Sequence, residues 1–324
     1  MNKKHPLLSI VLSFYNEENI LNELISRLKI VLDGLVNATQ ISNYELIFVN
    51  DNSTDNSEEI IKTHITQGNI VLVNMTRNFG VSECVMAGLR QSKGDAVIYM
   101  DADLQDPPEL IPELLNKWKE DASIEVVYTT RIRRKGEHPL KLFITKIGYR
   151  LINKISDIDL PVDSGDFKLL SRNVVDHINS LKEHKPYMRG LVSWVGYKQA
   201  PVYYERDARF DGRENTKNSV LSRKVIYYWL DRALISFSDA PLKIILLLGF
   251  LLSGISLAYI FVILFQKVMG WYLPGWPAVM SAILLLGGIQ MSMMGFIGLY
   301  VGAIFREVKG RPQYIVKEVI EEKE

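Results

Sequence analysis

The 324-residue sequence has little cysteine and, over one long stretch, almost no charge. Its single cysteine, Cys84, cannot form an intramolecular disulfide, so the fold does not require an oxidising compartment. We interpret Cys84 as a small buried apolar residue. Between Ile244 and Phe305, Lys267 is the only charged residue. An uncharged region of that length predicts membrane helices, since about 20 helical residues cross a hydrocarbon core of roughly 30 Å.

Several motifs are also absent, and their absence weakens whole classes of function. Neither GxGxxG nor GxxxxGK[ST] occurs, so a Rossmann dinucleotide site and a P-loop both lack their main support. The 38 basic and 37 acidic residues give a net charge of +1, which argues against a general nucleic-acid binder. The N-terminal apolar stretch is short and strand-like, with no small-residue cleavage site, so we propose no signal peptide.

Two apolar runs, Ile244 to Phe265 and Trp276 to Phe305, predict a transmembrane hairpin. Lys and Arg flank the pair on both outer sides, whereas the link between the runs carries Lys267 alone. The positive-inside rule therefore places both termini in the cytoplasm of a multi-pass inner-membrane protein. The spacing Gly298-x-x-x-Gly302 allows close helix contact, either within the hairpin or in a homo-oligomer.

Two further segments are amphipathic. Pro139 to Ser156 carries apolar residues on one side and Lys and Arg on the other, as expected of a helix lying in a membrane interface. A basic surface helix on a soluble core has the same pattern, and the downstream apolar runs favour the membrane. Lys224 to Phe237 repeats the pattern, with Tyr227, Tyr228 and Trp229 as interface anchors.

The first half of the chain alternates between strand and helix patterns. Apolar runs at Leu7–Phe14, Glu45–Asn50, Ile70–Asn74, Ala96–Met100 and Val126–Thr129 predict strands, and the segments between them have helical spacing. We expect the first of these helices to run from Glu17 to Leu35. Alternation of this kind predicts an α/β fold with a mostly parallel, covered sheet.

The stretch VIYMDADLQDPPEL, Val97 to Leu110, combines a buried strand with a cluster of oxygen donors. Asp101 and Asp103 follow the strand, where open α/β sheets bind ligands, and Gln105 and Asp106 come next. Such a set suits Mg²⁺ or Mn²⁺ when substrate phosphates supply the remaining ligands. The alternative is a loop in which Asp106 caps a helix beginning at the two prolines that follow it. The spacing alone leaves both interpretations open.

Polar residues at the ends of the other strands should meet these aspartates at one edge of the sheet. They are Asn16 and Glu17 after the first strand, Asp51 after the second, Arg77 and Asn78 after the third, and Arg131 after the fifth. Carboxylates that hold a divalent metal, next to arginines that grip phosphate, suit a diphosphate leaving group better than a redox cofactor.

The motifs SIVLSFYNEE, VNDNSTDNS, MTRNFG, YMDADLQDPPEL, TTRIRR and SGDFKLLSR, together with the two C-terminal runs, occur in an order that covers nearly the whole chain. In this the chain resembles the family 2 glycosyltransferases of GT-A fold. Within that family it is most similar to the polyprenyl-phosphate glycosyltransferases, which include bactoprenol glucosyltransferases and dolichol-phosphate mannose synthases.

The resemblance implies a role for each matched residue. It places Phe14, Tyr15, Asn16, Glu17, Asp51 and Arg77 around the nucleotide sugar, with Asp51 at the base. It makes Asp101, Asp103 and Gln105 the metal and diphosphate ligands. It assigns phosphate and acceptor contacts to Arg131, Arg133, Arg134, Arg209 and Lys217, and it makes Asp103 and Asp166 catalytic. Without the resemblance, Asp51 could be a cap, Arg131 a surface charge and Asp166 a turn residue.

Three positions depart from the family pattern. Ser13 stands where relatives usually have proline, and Asn52 stands where they usually have glycine. Because Asn tolerates a positive φ, the turn at Asn52 can survive. The segment RFDGRENTKNS, Arg209 to Ser219, replaces a shorter loop in relatives, which weakens the acceptor assignment of Arg209 and Lys217.

The implied activity is inverting transfer of a hexose, glucose from UDP-glucose, to undecaprenyl phosphate. Alternatives are the same fold with GDP-mannose, a UDP-N-acetylhexosamine or a UDP-aminoarabinose type of donor, and a non-catalytic membrane scaffold. A processive synthase is disfavoured because the sequence lacks a Gln-x-x-Arg-Trp motif. We expect a cytoplasmic catalytic domain (1–218), a juxtamembrane helix (219–240), spans at about 243–265 and 277–303 within 241–305, and a cytoplasmic tail (306–324).

Overall fold

The computed structural model describes residues 3–66, 68–131, 161, 164–183, 186–205, 210, 240–271 and 275–322. These residues form one eight-stranded sheet with the order β7-β5-β6-β4-β1-β2-β3-β8. The strands are β1 (Leu7–Phe14), β2 (Asn43–Asn50), β3 (Ile70–Met75), β4 (Ala96–Asp101), β5 (Val126–Arg131), β6 (Ser164–Ser171), β7 (Gln199–Tyr204) and β8 (Val316–Ile320).

Helices cover both faces of the sheet. The described helices are α1 (Leu21–Asn37), α2 (Ser57–Ile65), α3 (Val81–Gln91), α4 (Ile111–Glu120), α5 (Arg172–Ser180), α6 (Met188–Trp194), α7 (Ala240–Val268) and α8 (Trp276–Val308), with a short 3₁₀ turn at Pro108–Leu110; α7 and α8 do not take part in covering the sheet. One face packs on α1 and α4, and the other packs on α3, α5 and α6. The central strands are therefore buried on both sides, which explains their uninterrupted apolar runs.

The alternating pattern of the first half is confirmed. Strands β1, β2, β3 and β4 pair in parallel, with Phe14 opposite Asn50 and Ser13 opposite Asp101. Cys84 is buried as expected. Helix α1 begins at Leu21, later than the Glu17 expected from its periodicity. Residues 18–20 form a turn instead, in which the backbone N–H of Ile20 donates to the Glu17 carbonyl at 2.9 Å.

Two strands run against the parallel direction. Strand β6 lies between β4 and β5 and pairs antiparallel with both of them. Strand β8, which follows the second apolar helix, pairs antiparallel with β3 and forms the sheet edge. The segment interpreted from sequence as a tail thus supplies a strand of the sheet.

Helices α7 and α8 contain the two candidate membrane spans, Ile245–Gln266 and Leu285–Val308, judged by length and composition. Neither segment is buried within the described part of the protein, so both present apolar surface outward. The two helices contact each other, which fits the predicted hairpin. The amphipathic segments Pro139–Ser156 and Lys224–Phe237 lie outside the described residues.

Candidate active site

The carboxyl ends of β1, β2, β3 and β4 form one edge of the sheet, and the start of the antiparallel strand β6 joins them there. Residues 14–17, 51, 76–79 and 101–105 follow directly from these strands, and Arg131 ends β5 opposite the beginning of β6. The sequence-predicted residues of the described chain therefore collect at this edge, which we call the rim.

Asp51 holds the loop that follows β3. Its Oδ1 accepts the backbone N–H of Phe79 at 2.7 Å, and its Oδ2 accepts that of Gly80 at 3.0 Å. Gly80 has a φ of +110°, which favours glycine. The carboxylate is buried and ties the loops after β2 and β3 together through these two contacts.

The first two strand-end turns also interlock through Asn16. Its backbone N–H donates to Ser53 Oγ at 3.0 Å, and its Oδ1 accepts the backbone N–H of Thr54 at 2.8 Å. Asn52 has a φ of +60°, so the expected tolerance of Asn for this turn is confirmed. These contacts fix the shape of the groove between the turns before any substrate binds.

Four other residues that are predicted to bind the nucleotide sugar have different environments. The ring of Phe14 packs in the core, 6.3 Å from the ring of Phe48, so only its backbone reaches the rim. Tyr15 keeps 46% of its surface exposed, and Glu17 is buried. Arg77 is exposed, with its guanidinium 4.0 Å from the ring of Phe79.

The loop after β4 carries the predicted metal ligands. Asp103 Oδ1 accepts the backbone N–H of Gln105 at 3.1 Å. Between them, the buried Leu104 has a φ of +55°, an unfavourable conformation for a bulky residue. Core packing of Leu104 thus holds the backbone in a shape that sets the directions of the two neighbouring polar side chains.

The donor set fits a hard divalent cation whose coordination is completed by substrate. Asp101, Asp103 and Gln105 offer two carboxylates and an amide oxygen, which are Mg²⁺ and Mn²⁺ ligands. Among the described residues, no group of three or more His, Cys, Asp or Glu side chains is placed to hold a metal alone.

A buried hydrogen-bond chain links this loop to β5 and β7. The hydroxyl of Tyr204 donates to Asp106 Oδ1, and Arg131 Nε donates to the oxygen of Tyr204 at 3.4 Å. Burial and the charge of Asp106 raise the pKa of Tyr204 to about 12, so the hydroxyl stays protonated. Burial lowers the pKa of Arg131. The hydrogen bond with Tyr204 and the charge of Asp106 raise it by a larger amount, so the net shift is upward.

Asp106 does not cap the following helix. The residues before Pro108 and before Ile111 make no side-chain capping bond, and the carboxylate of Asp106 faces Tyr204 instead. The helix-cap interpretation of this stretch is thereby corrected, because the two prolines already fix the start of the turn without a side-chain acceptor.

Asp166 is paired with a residue that sequence reasoning missed. Arg189, in α6, donates from Nε to Asp166 Oδ1 at 2.7 Å and from Nη2 to Oδ2, a bidentate arrangement. The only sequence signal was a lone arginine in the apolar stretch YMRGLVSW. Burial raises the pKa of Asp166, but the charge and hydrogen bonds of Arg189 outweigh burial, and the net shift is downward.

Arg131 lies beside the same carboxylate. Its Nη2 is 3.4 Å from the position that a Cβ on Gly165 would occupy, so glycine leaves room for the guanidinium. Its charge also lowers the pKa of Asp166. The remaining predicted phosphate contacts, Arg133, Arg134, Arg209 and Lys217, lie outside the described residues.

Comparison with known proteins gives a family match over more than half of the chain. The model of Glycosyl transferase family 2 matches residues 9–178. A glycosyltransferase of Bacillus subtilis described as uncharacterized is 42% identical over 317 residues, which cover 97% of this chain and 94% of that protein. A prophage-derived bactoprenol glucosyl transferase of Shigella flexneri is 37% identical over 276 residues, covering 85% of this chain and 87% of that protein.

Solved structures are more distant. Glucosyl-3-phosphoglycerate synthase from Mycobacterium tuberculosis, in complex with Mn²⁺, UDP and phosphoglyceric acid, aligns with a TM-score of 0.46 at 22% identity. The alignment covers 70% of this chain and 78% of that one.

Proposed function

The chain belongs to glycosyl transferase family 2 and is a glycosyltransferase of GT-A-like fold, and we propose that it transfers a hexose from a nucleotide sugar to a polyprenyl phosphate at the cytoplasmic membrane surface. Glucose from UDP-glucose is the proposed donor, undecaprenyl phosphate the proposed acceptor, and inversion at the anomeric carbon the proposed stereochemistry. A donor carrying mannose, an N-acetylhexosamine or aminoarabinose is the alternative.

One observation carries this proposal: the likeness to a bactoprenol glucosyl transferase extends over 276 residues. A match of that length must run past residue 239, wherever it starts, and so include part of the apolar helices. The shared region is therefore the catalytic fold together with membrane-type helices, as a lipid-linked acceptor requires.

The sheet supports the proposed membrane topology. Strand β8 follows α8 and pairs with β3, which precedes α7, so the chain enters and leaves the helix pair on the same side. This arrangement requires an even number of membrane crossings, and α7 and α8 provide two candidate spans. With the positive-inside rule, the side shared by the catalytic domain and the C-terminal segment is the cytoplasm.

In this proposal, different residues of the rim bind the metal, the nucleoside and a phosphate. Asp101, Asp103 and Gln105 would hold Mg²⁺ or Mn²⁺, which stabilises the charge that develops on a departing diphosphate. The turns around Asn16 and Asp51 would receive the nucleoside, with Tyr15 exposed beside them. Arg131 would bind a phosphate, since its guanidinium stays charged and lies beside β6.

Asp166 is better suited to orienting substrate than to removing a proton. A lowered pKa and a bidentate arginine make its carboxylate a weak base. The reaction does not need a strong base, because a phosphate monoester is already anionic near neutral pH. The acceptor oxygen would therefore attack the anomeric carbon directly, while Asp166 fixes the position of a sugar or acceptor group.

The test uses membranes that contain the full chain. They are incubated with undecaprenyl phosphate, Mg²⁺ and a panel of radiolabelled UDP-glucose, GDP-mannose, UDP-N-acetylglucosamine and UDP-aminoarabinose, and label is counted in the lipid phase. Label from UDP-glucose is expected, and label from another donor would replace the proposed sugar. Asp103→Asn should lower transfer by about 100-fold or more while the protein stays folded in the membrane. No label from any donor would overturn the function.

A further inference from the structure

A third cation, Lys168, lies beneath Asp166 and belongs to none of the roles described above. Lys168, in β6, is 0% exposed, which makes it one of the largest fully buried side chains of the described protein. Its Nζ has no hydrogen-bond partner among the described residues. Burying an ammonium group without a partner is costly, and complete burial also prevents the side chain from reaching water.

The register of the sheet places Lys168 directly below the rim. Lys168 lies opposite Tyr99 of β4 on one side and Tyr128 of β5 on the other. Because alternate residues of a strand share a face, Lys168 and Asp166 point to the same side of β6. The carboxylate of Asp166 thus lies at the rim, with the ammonium of Lys168 one layer below it.

The positive charges around Asp166 come from three different elements. Arg189 of α6 pairs with it, Arg131 of β5 approaches it from the side, and Lys168 of β6 lies beneath it. Tyr99 and Asp101 of β4, Tyr128 of β5 and Tyr187 before α6 are the other ionisable groups that face this layer. The hydroxyl of Tyr99 also has no hydrogen-bond partner among the described residues.

We propose that Lys168 is a positioning residue for the transfer reaction: its buried ammonium lies beneath the carboxylate of Asp166 and helps to hold it in the orientation set by Arg189. The proposal rests on the proposed function. It explains why a position that would suit methionine in a covered strand carries a charge, since cost to the fold is tolerated where the charge acts on a site.

The charge of Lys168 is also sensitive to pH. Burial lowers its pKa, the charge of Asp166 raises it in part, and the result is about 8. The folded state therefore binds fewer protons than the unfolded chain between about pH 8 and the normal lysine pKa of about 10.4. The buried charge destabilises the fold fully below pH 8, and this penalty disappears as the pH rises through that window.

The experiment compares Lys168→Met with Lys168→Arg and a matched control, Leu170→Met, which is buried on the same face of β6. Full-length variants in membranes are assayed with labelled UDP-glucose and undecaprenyl phosphate, and melting temperatures are measured in detergent. Lys168→Met should lower kcat by about 100-fold with little change in KM for the nucleotide sugar. Its melting temperature at pH 7 should equal or exceed that of the wild type, and the difference should shrink above pH 8.

Lys168→Arg should recover most of the lost kcat and move the alkaline fall of kcat to higher pH, because arginine stays charged. Leu170→Met should match the wild type. Equal kcat in Lys168→Met and wild type would overturn the role of Lys168. So would a fall in melting temperature that accompanies the loss of activity, since that pattern indicates a structural role. Absence of transfer by the wild-type chain overturns the proposed function instead, which distinguishes the two failures.

Discussion

The two sides of the rim balance negative charge in different ways. On the side of β1, β2 and β3, the carboxylate of Asp51 accepts two backbone N–H groups. On the side of β5 and β6, the carboxylate of Asp166 is balanced by Arg189, with Arg131 and Lys168 nearby. The first side uses the chain's own backbone, and the second uses side-chain cations drawn from other elements.

This difference separates contacts that stabilise the fold from charges that act on the substrate. Backbone donors come with the turn itself, so the Asp51 side gains stability from the contacts that shape it. Side-chain cations must be desolvated, so the Asp166 side costs stability and gains a field directed at the substrate. Substitutions on the first side should therefore change mainly the stability of the fold, and substitutions on the second side mainly the rate.

The largest effect is expected at Arg189. Arg189→Ala removes the bidentate partner of Asp166, and kcat should fall by about 100-fold as the carboxylate loses its fixed orientation. Arg189 holds the pKa of Asp166 down, so its loss lets Asp166 protonate at higher pH. The acid limb of the kcat profile should move upward in pH, as measured with labelled donor in membranes.

Arg189→Lys is the matched control for this change. Lysine keeps the charge but not the two parallel hydrogen bonds, so the pH profile should stay near that of the wild type while kcat falls to an intermediate value. If Arg189→Ala left both the pH profile and kcat unchanged, the Asp166 side would not depend on side-chain cations. The contrast between the two sides of the rim would then be wrong.

A smaller effect, on stability, is expected at Asp51. Asp51→Asn replaces one acceptor oxygen by an NH₂ group, so either Phe79 or Gly80 loses its partner. The free energy of unfolding should fall by about 1–3 kcal/mol, measured by denaturant unfolding of the detergent-solubilised protein. Asn52→Gly, in the same turn, keeps the positive φ and should be close to neutral. An unchanged free energy of unfolding in Asp51→Asn would contradict the proposed contribution of this carboxylate to stability.

The Asp51 side could be anticipated from the sequence and the Asp166 side only in part. Asp101 is the last residue of β4, and Asp51 and Asp103 follow β2 and β4 by one and two residues, so local pattern is enough to bring them to the rim. Arg189 reaches Asp166 of β6 from helix α6, and the antiparallel direction of β6 follows from pairing with strands distant in sequence. Sequence periodicity carries no information about such long-range pairing. For the same reason, the sequence did not predict strand β8.

The smallest effect concerns β8, which follows α7 and α8 in the chain and reaches the Asp51 side of the rim. Asn74 Nδ2 donates to Glu318 at 3.1 Å, Asn50 Nδ2 donates to Asn74 at 3.0 Å, and Asn50 Oδ1 accepts Ser53 N–H at 2.8 Å. A chain of hydrogen bonds thus connects the C-terminal strand to the turn that holds Asn16. Glu318→Gln keeps an acceptor for Asn74 but removes the charge.

The melting temperature of Glu318→Gln should therefore fall only slightly, by about 1 °C at pH 7, with a modest rise in KM for the nucleotide sugar. The hydrogen bond from Asn74 lowers the pKa of Glu318, so this contribution is present above the ordinary glutamate range and lost as the pH falls through the folded pKa. Glu321→Gln, whose partner Lys93 is 3.8 Å away at the surface, is the control and should be silent. A rise in KM without any change in melting temperature would mean that β8 acts on the nucleotide side through its charge alone, and the hydrogen-bond chain would not be the connection.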